Sequence, residues 1–144
     1  MLFRSGMPTT FATVPFKSVN GDPRTALIFS LPGNPASGMV TASLFMRPCI
    51  DLWSGVDKSR IGQPKAKVVL AADTKSDARR EEYQRAVVWQ GDDGRLYGQT
   101  TGFQRSSRIG SFNKANALLI VAPGQGVLEK GRMLDALLLG SLGS

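Results

Sequence analysis

Apolar and polar positions along the chain fall into two regimes. From residue 9 to about residue 57, two β-type runs lead into one long apolar segment at helical spacing. From about residue 65, short alternating runs follow one another with turn residues between them. In the first regime, residues 9–14 and 25–30 are rich in threonine, aromatic and branched side chains and read as strands. Asn20-Gly21-Asp22-Pro23 between them is turn chemistry. Residues 35 to about 53 read as a helix whose apolar positions Met39, Val40, Leu44, Phe45, Ile50, Leu52 and Trp53 occupy more than one face. That is the pattern of a helix packed between a sheet and a second element. Pro48 is predicted to kink it, because proline brings no N–H and its ring crowds the carbonyl of Leu44.

The second regime predicts strands over 65–70, 82–89 and 95–101, the last two joined by Gln90-Gly91-Asp92-Asp93-Gly94, a hairpin loop. Two further apolar strands, 117–121 and 133–138, enclose a turn through Pro123-Gly124-Gln125-Gly126. Many short strands with turns between them predict a small, mostly antiparallel β barrel or sandwich. The fold class is therefore α+β, divided in the polar, glycine-containing linker 54–64: residues 1–57 are a first block of strands and helix and residues 58–144 are a β domain. Two strands and one helix leave sheet edges and a helix face uncovered. The first block is thus expected to be incomplete by itself and to rely on missing N-terminal domains or a partner chain.

Composition narrows the chemistry. Cys49 is the single cysteine, which rules out an internal disulfide, and its neighbours Phe45, Met46 and Ile50 predict a buried thiol. There is no histidine, so a Ser-His-Asp triad, histidine-bound zinc and imidazole acid–base chemistry are excluded within this chain. No apolar run is long enough for a membrane span, and the first residues lack the apolar core of a signal peptide; a soluble, cytoplasmic protein is expected. The formal net charge of +7 favours anions. Its carriers are scattered in pairs (Lys65 and Lys67, Arg79 and Arg80, Arg105 and Arg108) with no long run and no aromatic-rich ribonucleoprotein motif. This predicts a small anionic substrate rather than nucleic acid.

The run Ile28-Phe29-Ser30-Leu31-Pro32-Gly33-Asn34-Pro35-Ala36-Ser37-Gly38 is a strand ending in a glycine turn that opens onto a helix. Asn34 suits the N-cap and Pro35 the first helical position. The N–H groups of Ala36, Ser37 and Gly38 are then expected to be free for an anion, with the positive end of the helix dipole behind them. The same residues would also serve as a plain capped connection. A second cluster, Thr101-Gly102-Phe103-Gln104-Arg105-Ser106-Ser107-Arg108, precedes a predicted short helix near 109–115. There Ser106 or Ser107 could simply cap the helix. Arg85, within a strand, could be a water-facing polar position or a cationic fork.

The wording Leu31-Pro32-Gly33-Asn34-Pro35-Ala36-Ser37 resembles the signature of the molybdenum-insertion enzymes of molybdenum cofactor synthesis, the family that includes the E domain of gephyrin. Gly6-Met7-Pro8, Tyr83-Gln84-Arg85, Thr101-Gly102-Phe103-Gln104-Arg105-Ser106 and Lys114-Ala115-Asn116-Ala117-Leu118 follow that family's order, so the resemblance covers essentially the whole chain. It implies the end of a molybdopterin-binding-like α/β domain followed by a C-terminal β domain. It also implies a reaction that inserts molybdate into adenylated molybdopterin with release of AMP, dependence on Mg2+, and a homodimer. By the same resemblance, Arg85, Ser37 and Ser106 are the catalytic set, while Arg4, Pro32, Gly33, Asn34, Pro35 and Ser37 bind the anionic substrate. Met7 stands where the family often has a second lysine. The acidic residues Asp73, Asp77, Glu81, Glu82, Asp92 and Asp93 lack ligand spacing, so the Mg2+ ligands are expected outside this chain and no metal ligand is assigned within it. The alternative implied by gephyrin is a scaffold module that holds receptor peptides in an apolar groove of Phe103, Phe112, Tyr97 and Pro123.

Overall fold

A closed barrel organises the second half of the chain. The structure, a computed structural model, describes residues 9–76, 79–101, 115–140 and 142. The barrel strands are β3 (Lys65–Leu70), β5 (Glu82–Gln90), β6 (Leu96–Thr100), β7 (Ala117–Val121) and β9 (Met133–Leu138), in the order β3-β6-β5-β7-β9. Pairing is antiparallel except where β3 meets β6 at Val69↔Tyr97 and Leu70↔Gly98. Of the two predicted architectures the chain adopts the barrel, because β9 returns to pair with β3 and leaves no open edge. Strands 117–121 and 133–138 do pair, but they do not form a simple hairpin. Between them β8 (Val127–Leu128) leaves the barrel to pair with β4 (Thr74–Lys75). A two-residue strand carries no period, and so neither had a signal in the pattern.

A barrel this small is filled by side chains. Val68, Leu70, Ala86, Val88, Ala117, Leu119, Val121 and Ala136 fill it, and Leu128 from β8 joins the same cluster. Gly98 sits among them because a Cβ there would stand 3.3 Å from both Leu119 and Val68 side chains. Asn116, part of the Ala-Asn-Ala motif, extends the β5–β7 pairing with its side chain. Its Oδ1 accepts from the Val88 N–H at 2.7 Å and its Nδ2 donates to the Val88 carbonyl at 2.8 Å.

The first half forms a separate two-stranded ribbon, β1 (Thr10–Lys17) with β2 (Pro23–Ser30), and then helix. The predicted single kinked helix is three pieces: α1 (Pro35–Thr41), a π-helical turn (Ala42–Met46) and α2 (Arg47–Trp53). Pro48 supplies no N–H, and in the preceding turn the Arg47 N–H reaches the Ala42 carbonyl, five residues back. The proline thus changes the winding one turn ahead of itself. One face of this helical run is packed: Ala36 and Val40, with Leu44 beside them, lie against Leu118 and Leu137 on the outside of the barrel. A second apolar face of the helical run is uncovered in this chain, since Met39, Phe45, Ile50, Leu52 and Trp53 are exposed, as are Phe11, Val14, Phe16 and Ile28 of the ribbon. Cys49, predicted to be buried, is half-buried, because its neighbours Phe45 and Ile50 point to solvent.

Candidate functional site

The Pro-Gly-Asn-Pro turn builds the start of α1 as expected. Asn34 takes extended backbone angles, and its Oδ1 accepts from the N–H groups of Ala36 at 3.1 Å and Ser37 at 3.4 Å. The Gly38 N–H donates to the Asn34 carbonyl at 2.8 Å. The expectation of three free donors is therefore corrected. The amide oxygen of an N-cap asparagine reaches the same N–H groups an anion would take, so the cap closes the cradle. Pro32 is buried and its carbonyl would stand 3.2 Å from a Cβ at position 38, so glycine there lets the turn fold back on the helix. Gly33 and Pro35 are exposed, whereas Ser37 is buried. Asn34→Ala is expected to cost about 1 kcal/mol in a urea unfolding experiment, with the loss concentrated in α1 amide protection.

Arg85 owes its place to strand alternation. Ala86 and Val88 of β5 point into the barrel, whereas Tyr83 packs outside it with α1, so Arg85 also projects from the outer face. Its register partner is Leu118, the residue on which Ala36 and Val40 rest. Arg85 is only 3% exposed, which excludes the water-facing alternative. Burial lowers its pKa from the ordinary arginine value, yet a guanidinium remains charged at neutral pH. Arg85 on the barrel is thus paired in register with one member of this apolar cluster, Leu118, and the buried Ser37 follows another, Ala36, in the helix. Thr41, one helical turn beyond Ser37, is 1% exposed, and its Oγ1 has no hydrogen-bond partner among the described residues. Sequence reading missed Thr41, although its i+4 spacing from Ser37 was visible. Arg4, Ser106, Asp77, Phe103 and Phe112 lie outside the described residues.

Tyr83, beside this contact, has its pKa pushed up to about 12, first by burial and then by its hydrogen bond to Glu81 and the charge of that carboxylate. A phenol raised in the folded state contributes stability below its unfolded value of 10.0, and that contribution fades as pH rises toward 12. Unfolding free energy is therefore expected to fall between those values, with Tyr83→Phe removing part of the fall. Denaturant titrations at stepped alkaline pH would test this.

Several other polar groups among the described residues serve structure. Gln84 Nε2 donates to the Lys75 carbonyl at 2.8 Å and to Glu82 at 2.5 Å, and Thr74 Oγ1 donates to Gln84 Oε1 at 3.2 Å, tying β4 to the barrel. Asp73 accepts from the Lys130 N–H at 2.8 Å. Among the described residues, no three His, Cys, Asp or Glu side chains gather where they could hold a metal ion. Tyr97 stacks on Trp89 at one end of β5, while Pro123 follows β7 beyond Val121, which pairs with Glu82 at the other end. These two members of the expected peptide groove are not brought together. No helix among the described residues is long and apolar enough to cross a membrane.

Residues 67–139, from within β3 to just past β9, match the family model described as the MoeA C-terminal region (domain IV). The chain is 33% identical over 151 aligned positions to gephyrin of Dictyostelium discoideum, which covers 96% of this chain and 21% of that protein. It is 31% identical over 113 positions to the molybdopterin molybdenumtransferase of Bacillus subtilis, covering 78% of this chain and 26% of that enzyme. Among solved structures, the molybdopterin biosynthesis MoeA protein of Pyrococcus horikoshii superposes with a TM-score of 0.66 at 20% identity, covering 96% of this chain and 30% of that one. The chain thus spans between a fifth and a third of the length of these three proteins. With the barrel as the matched unit, this chain belongs to the MoeA C-terminal region (domain IV) family, within the MoeA and gephyrin group of molybdenum cofactor biosynthesis proteins.

Proposed function

We propose that the chain is the C-terminal part of a molybdenum insertase, which places molybdate in adenylated molybdopterin and releases AMP. In this reading residues 1–57 are the end of the molybdopterin-binding α/β unit. The remaining domains come from elsewhere in the protein or from a partner chain, and the enzyme works as a cytoplasmic homodimer. The observation that supports the reading is the burial of Arg85, the register partner of Leu118, on the barrel face whose apolar cluster also takes in Ala36, next to the buried Ser37. Molybdate, phosphate and adenylate are all anions, and fixed cationic forks and hydroxyls act most strongly on them where water is excluded.

Each residue has a separate task. Arg85 presents parallel N–H donors to two oxygens of an oxyanion, and its charge offsets that of the substrate. Ser37 donates its hydroxyl from the helix side, and the orphaned Thr41 Oγ1 is a second donor that an incoming oxygen could satisfy. The Pro32 to Pro35 turn serves first as the scaffold that fixes Ser37. The N–H groups of Ala36 and Ser37 become available only when the Asn34 side chain swings off the helix start. Arg4 and Ser106 complete the polar set. Mg2+ belongs to residues beyond this chain, and none of these steps passes through it. In the complete protein supplied with molybdate and adenylated molybdopterin, Ser37→Ala is expected to slow AMP release about tenfold. Unchanged turnover would remove Ser37 from the reaction.

A further inference from the structure

A second basic site lies where α2 joins the barrel. The loop between α2 and β3 turns through Gly62, at φ +82, and borders an open cavity of about 500 Å³ lined by Arg47, Arg60 and Lys65 together with Ile61 and Pro64. That volume is in the range of small-molecule sites. No acidic residue lines it.

The two nearby carboxylates are occupied in holding the loop. Asp51, 5% exposed, accepts from Arg47 Nε at 2.7 Å and from the Gly62 N–H at 2.9 Å. Asp57 accepts from the Ser59 N–H at 2.8 Å and the Ser59 hydroxyl at 2.5 Å. These bonds hold both acids below the usual carboxylate range, Asp51 chiefly through Arg47 and Asp57 chiefly through the Ser59 hydroxyl, so both stay ionised and in place at neutral pH. The Arg47 pair uses Nε and leaves the terminal guanidinium nitrogens, on a side chain 55% exposed, for another acceptor. Arg60 and Lys65 make no ion pair among the described residues. Three cations therefore line one cavity, and of the two nearby carboxylates only Asp51 forms an ion pair with any of them. An excess of charge on a loop braced at both ends suits a compact anion, which a guanidinium fork and an ammonium can grip together.

We propose that this cavity binds a phosphate dianion, free or carried as a monoester whose organic part rests on Ile61 and Pro64. The site is separate from the Arg85 contact and does not depend on the insertase reading. The test is an amide-shift titration of the full chain at fixed ionic strength with inorganic phosphate, phenyl phosphate and phenol. Saturable shifts confined to residues 59–65 and Arg47 are expected for both phosphates and not for phenol. Arg60→Gln combined with Lys65→Gln should weaken binding about tenfold or more while leaving the barrel amides in place. Tighter binding of phenyl phosphate would identify a monoester as the occupant, and equal affinities would identify free phosphate. Non-saturating shifts spread over all the basic residues, phenol binding as tightly as phenyl phosphate, or an unaffected double variant would overturn the proposal. None of these outcomes touches the role of Arg85.

Discussion

In the complete protein, Arg85→Ala is expected to lower molybdenum insertion by about 10²- to 10³-fold, the cost of removing one fixed donor group aimed at developing negative charge. Arg85 is 3% exposed and opposite Leu118, so no solvent cation can replace it cheaply. Arg85→Lys should recover only part of the rate, because an ammonium keeps the charge but cannot hold two oxygens in a plane. The lysine variant also separates chemistry from folding. Truncating a buried side chain leaves a gap, whereas lysine fills most of it. An insertion defect in Arg85→Lys at unchanged thermal stability assigns the loss to the site. Wild-type turnover in either variant would take Arg85 out of it.

The second large effect is expected at two adjacent residues that face opposite ways. Leu119 is fully buried inside the barrel and Leu118 is fully buried between the barrel and α1. Leu119→Ala should cost about 3 kcal/mol of global stability in urea unfolding, a large share of what a small domain possesses. Leu118→Ala should act locally: amide exchange in α1 should quicken while the interior strands keep their protection. Gly98 provides an internal control. Alanine there would press on Leu119 and Val68 at 3.3 Å in the wild type, but in the Leu119→Ala background it should refill part of the cavity. Equal, global losses at 118 and 119 would mean that α1 and the barrel unfold as one unit.

The barrel was readable because its strands obey a period of two. The predicted runs at 65–70, 117–121 and 133–138 coincide with β3, β7 and β9, and 82–89 and 95–101 fall within one residue of β5 and β6. The same alternation left Arg85 open between a water-facing position and a cationic fork, since which side α1 would cover depends on chain closure. Asn34 was legible as a cap. That its side chain takes the very donors assigned to an anion follows from side-chain geometry and not from residue type. The π-helical turn was hidden because Pro48 announces a disturbance without fixing its form. Thr41 was silent because a threonine in a helix is ordinary until its burial is known.

The central claim, that the contact between α1 and the outer barrel face is where the oxyanion is held, is tested most directly by locating molybdenum. Crystals of the complete protein soaked in molybdate would be measured at the molybdenum absorption edge. The account predicts an anomalous peak within hydrogen-bond reach of the Arg85 guanidinium and the Ser37 hydroxyl, lost in Arg85→Ala. A peak elsewhere, with none beside Arg85, would contradict it.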